Sequence, residues 1–128
     1  MNNLSSENGE WVQGRGWSFA DLGRFPGADD IDSVSPENPV ALKSRDEHLL
    51  LANTSAMKTA GLLGGELPSV EGGEVVKDSS GSPAGLFKEN ACSLIRAHIP
   101  LPTADDLADA LAEGMSDAAE LGLTALED

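Results

Sequence analysis

The residues from Thr103 to Asp128 constrain the fold of this chain more than any others. Thr103 is placed to cap a helix, and Asp105 and Asp106 put negative charge in its first turn. Leu107, Leu111, Met115 and Ala118 then recur at helical spacing on one face. The pattern predicts a helix from Ala104 to Leu121, closed by Gly122 in a left-handed conformation. LTAL follows at once, short, apolar and β-capable, and runs into Glu127 and Asp128. An amphipathic helix that feeds a buried strand is the αβ half of a repeating βα unit, and such a strand needs neighbours on both sides. This sequence holds no internal repeat that would supply them.

Length sharpens the point. The chain has 128 residues, about half of the roughly 250 that a complete (β/α)8 barrel takes, so a whole barrel is excluded. Apolar residues make up 40% of the chain and occur in short runs between turn signals, which predicts a globular segment rather than an acidic disordered tail. Only the start, MNNLSSENGE, is polar enough to fray, and residues 1–13 are expected to form a flexible N-terminal arm. The net charge of −14 opposes any phosphate-tracking surface, so nucleic acid is not expected as a partner. No apolar stretch approaches bilayer length, and the N-terminus has neither a basic region nor an apolar one of the secretory kind. Cys92 is the only cysteine, so no internal disulfide can form, in keeping with a reducing compartment. These features predict a soluble, cytoplasmic protein with no membrane partner.

Upstream of the final helix the signals are shorter. Residues 11–39 carry both tryptophans and scattered Gly and Pro, and read as an irregular arm with a short helix at Asp29 to Val34. In PVALKSRD the period-two alternation predicts a strand. NTSAMKTAG has an N-cap in Asn53 and a stop in Gly61, and predicts a brief helix. GGEVVKDSSGSPAGLF places two apolar arms around a loose turn, as a hairpin would. In KENACSLIRAHI, Ala91, Leu94, Ile95 and His98 fall on one helical face, and Pro100 and Pro102 end the run. The fold class expected is α/β, an α+β segment followed by one αβ unit.

Several of these strings, taken in order, resemble the metal-dependent amidohydrolase family 3, in its YtcJ-like and N-substituted formamide deformylase-like branch. GRGW at Gly14 to Trp17 is similar to the family's GxGW entry. Asp30-Ile31-Asp32 and SPENPV are similar to its "dLD" and "sPdrPV", and RDEHLLLANTSAMKTAG to its "DGHxxxxNSxALxxAGI". GGEVVKDSSGSPAGLFKENA resembles "GGxIxRDxxGxPTGxLxExA", IPLPT resembles "IPxPT", and AAELGLTALED resembles "xxxxGITSVHD". No single string is specific, but their order and separations agree from Gly14 to Asp128. Departures are Glu47 for the family's Gly, Thr54 for Ser, Met57 for Leu and Glu127 for the His of the terminal pair.

The resemblance implies a TIM-barrel hydrolase that uses a divalent metal, Zn in the parent family, to attack a small-molecule amide or related C–N bond. It makes residues 14–102 a substrate-mouth insertion and residues 103–128 a helix and strand of the barrel. The family's HxH should precede this segment and its later His and Asp ligands should follow it, as in a reading frame truncated at both ends. His48 and His98 are not spaced as a metal pair. No metal ligand is assigned here, and none is expected to be bound tightly by this chain alone.

Within that frame His48 is the leading catalytic candidate, positioned to orient a polar substrate or a proton, against the plainer role of a histidine satisfied by local backbone. Asp46 would fix its tautomer, or is simply a carboxylate at a strand end. Asp128 would lie at the catalytic end of a barrel strand. For substrate binding the candidates are Asn53, Trp17 and Glu89. Asn53 is also explained by capping. Trp17 is also explained by packing, and Glu89 by the charge preference of a first helical turn. Cys92 is expected to be buried and inert. The reading is of part of a C–N hydrolase, inactive by itself. The alternative is a stand-alone acidic binding module that kept the insertion and lost the barrel. The unpaired terminal strand is also a route to self-association.

Overall fold

Alternation along VALKS sends Val40 and Leu42 to one side of a strand and Ala41 and Lys43 to the other, and both sides find a covering. The computed structural model describes residues 9–127. In chain order the elements are β1 (Val12–Trp17), α1 (Phe19–Leu22), α2 (Asp29–Asp32), β2 (Val40–Ser44), β3 (Leu49–Ala52), α3 (Thr54–Thr59), β4 (Gly73–Lys77) and β5 (Pro83–Glu89). A 3-10 turn at Asn90–Cys92 then runs into α4 (Ser93–Arg96), and α5 (Ala104–Glu120) is the last element among the described residues. The strands form one mixed sheet in the order β1-β2-β3-β5-β4. β1 and β2 are parallel, joined by a crossover that carries α1 and α2, and the remaining pairs are antiparallel.

The main core lies on one face. Ala41, Leu50 and Phe87 pack under Ala56 and Met57 of α3, with Ala91, Cys92 and Ile95 from the turn and α4. Phe87 and Ile95 are fully buried, each removing an apolar side chain whose transfer from water contributes about 1.5–3 kcal/mol. On the other face Ile31 of α2 covers Val40 and Leu51, flanked by Val12, Trp17 and Leu42. Gly85 lets these layers close on β5. A Cβ there would stand 2.6 Å from the Ala28 nitrogen and the Ala52 oxygen, and its φ of +100° favours glycine.

Asn53 joins the pieces. Its side-chain oxygen accepts from the Val40 and Ala56 amides, both at 2.9 Å, and its amide nitrogen donates to the Ser35 and Asn38 carbonyls at 2.7 and 2.9 Å. It thus caps α3, as expected, and also pins the loop that enters β2.

Four expectations are corrected. The segment from residue 11 is not an irregular arm throughout, because Val12–Trp17 pairs with β2 residue for residue as far as Arg15 and Lys43. Its Gln-Gly-Arg-Gly sequence lacks apolar alternation, so only the partner strand reveals it. LLLA, read only as part of a longer string, is β3, a continuous apolar run of the kind found in a strand covered on both faces. The run from Lys88 is shorter as a helix than expected, since β5 keeps Lys88 and Glu89 in the sheet. Finally, α5 has its capping box between Thr103 and Asp106, and Gly122 is left-handed at φ 80° as expected. LTAL, however, forms no strand, and Leu123 and Leu126 are 50% and 70% exposed. A parallel strand exists only through the hydrogen bonds of its neighbours, and the five-stranded sheet does not extend to it. α5 buries no side chain at all.

Candidate functional site

The turn between β2 and β3 is built by one carboxylate. The Ser44 hydroxyl donates to Asp46 at 2.6 Å, and the His48 backbone amide donates to the same oxygen at 3.1 Å. Both bonds favour the ionised form and hold the Asp46 carboxyl below its usual range, the hydroxyl more than the amide. Glu47, between them, takes a left-handed φ of 67°. The turn therefore presents the His48 ring outward, 62% exposed.

The ring does not meet Asp46. Its Nδ1 lies 2.9 Å from Oε2 of Glu89, because β3 and β5 pair with Leu49 opposite Lys88 and the Glu89 amide donates to the His48 carbonyl at 2.8 Å. Glu89, not Asp46, is the tautomer-setting partner. A proton on Nδ1 satisfies the carboxylate and leaves Nε2 as the outward acceptor. The hydrogen bond to Glu89 and then its negative charge raise the His48 pKa above the ordinary imidazole value. Glu89 reaches this position through a strained backbone, φ 51° and ψ −124°, at the last residue of β5. It stands at the N-cap of the 3-10 turn that leads into α4, one residue before the first turn.

Trp17 is a packing anchor that also borders a concavity. Its indole Nε1 donates to the Leu42 carbonyl at 2.9 Å, and its ring packs on the Ile31, Val40 and Leu51 cluster. The same residue lines a depression of about 230 Å³ with Phe19, Ser44, Arg45, Asp46 and Leu49. This brings Trp17 and Asp46 to one concavity, at the turn that also carries His48. Phe19, Ser44 and Leu49 were not singled out from sequence. The register of β1 against β2, which sets Trp17 opposite Ser44, would have pointed to them.

Asn53 stands apart from this rim. It is fully buried and both donors and both acceptor sites of its amide are engaged, so no valence remains for a substrate. Asp128 lies outside the described residues. Cys92 is buried, and desolvation raises its thiol pKa, which makes it a poor nucleophile.

Among the described residues no three His, Cys, Asp or Glu side chains gather in an arrangement that could hold a metal ion. His48 and Glu89 offer two donors, fewer than the three protein ligands a catalytic zinc ordinarily has. These residues therefore do not fit a divalent metal centre by themselves. No helix among them is long and apolar enough to cross a membrane.

The fold and rim define a mixed α/β sheet whose β2–β3 turn carries a carboxylate-paired imidazole and, through Ser44, Arg45 and Asp46, borders an aromatic depression. Residues 2–128 match the sequence profile of the amidohydrolase family, and the chain belongs to that family. It is 34% identical to the protein LONG AFTER FAR-RED 3 of Arabidopsis thaliana over 97% of this chain and 21% of that protein. It is 32% identical to the putative amidohydrolase YtcJ of Bacillus subtilis over 90% of this chain and 22% of that one. The N-substituted formamide deformylase of Arthrobacter pascens is 33% identical over 70% of this chain and 17% of its own length. The chain thus spans about a fifth of the curated relatives it matches. Its fold is shared with an uncharacterized metal-dependent hydrolase of Pyrococcus horikoshii, with a TM-score of 0.61 and 21% identity over 90% of this chain and 21% of the other.

Proposed function

We propose that this chain is the substrate-mouth segment of a cytoplasmic metal-dependent amidohydrolase that cleaves non-peptide C–N bonds of the formamide or N-acyl amine type, and that α5 and LTAL supply one helix and strand of its (β/α)8 barrel once neighbouring strands flank LTAL. The membership in the amidohydrolase family supports the reaction class, and the likeness to a formamide deformylase supports the bond type. The observation that carries the site is the His48–Glu89 pair. A neutral imidazole whose Nδ1–H is held by a carboxylate presents Nε2 to take a proton from a polar group, or to return one when charged. In this reading His48 touches the substrate, Glu89 orients it, and Asp46 holds the turn. The Trp17 depression receives the apolar substituent on the amide nitrogen or acyl carbon. Asp128 is assigned to the catalytic end of a barrel strand. The divalent metal of the complete enzyme, zinc in this proposal, has no ligand assigned here, and no step is routed through it.

Two experiments test the reading. The gene, expressed together with any coding sequence that adjoins it in frame, is expected to hydrolyse a member of a panel of formamides and N-acyl amines in a chelator-sensitive way. His48→Ala should lower kcat by about a hundredfold or more. Loss of no activity in that variant would remove His48 from the site. The purified chain of 128 residues, dialysed against trace zinc, is expected to retain no stoichiometric metal and to turn over none of the panel. Stoichiometric metal with turnover would overturn the ligand assignment.

A further inference from the structure

The face of β2 opposite the Trp17 depression carries a second concave surface with a different chemistry. Gln13 pairs with Ala41 and Arg15 with Lys43, so all four side chains lie on the face of the sheet that bears the main core. α4 covers the centre of that face and ends at Arg96, which overhangs its edge. The result is two adjoining depressions, of about 240 and 410 Å³, that share Gln13, Gly14 and Lys43. Arg96 borders the first and Arg15 the second, Ala41, Leu50 and Ile99 floor the first, and Glu47 is the one carboxylate among the lining residues.

Charge makes this surface unusual for this molecule. The chain has 22 acidic and 8 basic residues, yet three cations and one carboxylate meet here. Elsewhere Arg24 pairs with Asp30, Arg45 with Asp21 and Lys88 with Glu74, while Lys58 and Lys77 form no ion pair among the described residues, and within the site Lys43 leans on Glu47 at 3.3 Å. Neither Arg15 nor Arg96 forms an ion pair among the described residues. In a chain of net charge −14, Arg15 and Arg96, at two adjoining depressions and in no ion pair among the described residues, are available to an anion from outside. The apolar floor beside them fits a ligand that is not a bare ion.

We propose that this concavity binds a small organic anion, a carboxylate on a short apolar body. Its head is held by Arg15, Lys43 and Arg96 and its body lies over Ala41, Leu50 and Ile99. The Trp17 depression lies on the other face of the sheet, and this site and the proposed hydrolytic reading can each fail without the other.

The probe is hexanoate, titrated into the isotope-labelled chain at low salt and followed through the backbone amides of Gln13, Gly14, Lys43 and Arg96. A saturable response confined to this region is expected, with 1-hexanol and inorganic phosphate each binding at least tenfold more weakly. Arg15→Gln with Arg96→Gln should weaken hexanoate at least tenfold. Both side chains are exposed and form no ion pair among the described residues, so the fold should persist, as the amide spectrum of the variant will show. Glu47→Gln, which removes the competing carboxylate, should tighten binding by about twofold or more. The proposal is overturned if hexanol binds as well as hexanoate, if phosphate does, if hexanoate does not saturate, or if Glu47→Gln leaves the affinity unchanged or lower.

Discussion

Nδ1 of His48 and Oε2 of Glu89 lie 2.9 Å apart although the residues are 41 positions apart in the chain. The pair raises the His48 pKa, so protonation of the ring favours the folded state. That stabilisation is fully present below the ordinary imidazole value and is lost as pH rises through the raised value of the folded protein. Glu89→Gln should lower the titration midpoint of the His48 ring resonance toward its ordinary position. An unchanged midpoint would mean that the two side chains do not meet in solution.

The backbone of Glu89 makes a second, opposite prediction. At φ 51° and ψ −124° it occupies a region that disfavours side chains, at a cost on the order of 1–3 kcal/mol. The ion pair it forms is exposed, and exposed pairs contribute little. Glu89→Gly should therefore raise the melting temperature by a few degrees, corresponding to about 1 kcal/mol, while abolishing the His48 shift. A lower melting temperature would show that Glu89 is not strained.

Asn53 should behave as a structural residue. Asn53→Ala orphans the Val40 and Ala56 amides and two carbonyls, and should cost about 3 kcal/mol in urea unfolding. Asn53→Asp keeps the two acceptors but turns a carboxylate oxygen toward the Ser35 and Asn38 carbonyls, and should be destabilising as well. Wild-type stability in either variant would contradict the four bonds described.

Leu107, Leu111 and Met115 are 57–65% exposed on α5, so their substitution removes little burial. Leu111→Gln with Met115→Gln should change the unfolding free energy by less than about 0.5 kcal/mol and reduce the binding of a hydrophobic dye. A large loss of stability would mean that this face is covered in solution.

Local chemistry made a good part of this molecule legible before any fold was known. The Thr103 capping box, the left-handed Gly122 and the Asn53 cap each depend on residues within a few positions of one another, the β4–β5 hairpin joins strands adjacent in the chain, and each forms as expected. The ordered strings led to the amidohydrolase family for a related reason, since they preserve sequence order. His48, Trp17 and Glu89 were likewise visible as candidates.

Their partners were not. Gln-Gly-Arg-Gly becomes a strand only because β2 offers it a parallel edge, and LLLA becomes β3 only between β2 and β5. That pairing moved Glu89 out of a helix and against His48, and gave Asp46 the backbone of His48 instead of its ring. The pairing of β1 with β2 also set Arg15 beside Lys43, at the two adjoining depressions of which Arg96 borders one. LTAL shows the same dependence in reverse, apolar enough for a strand yet without one, because strand hydrogen bonds are made with neighbours and a sequence window contains only itself.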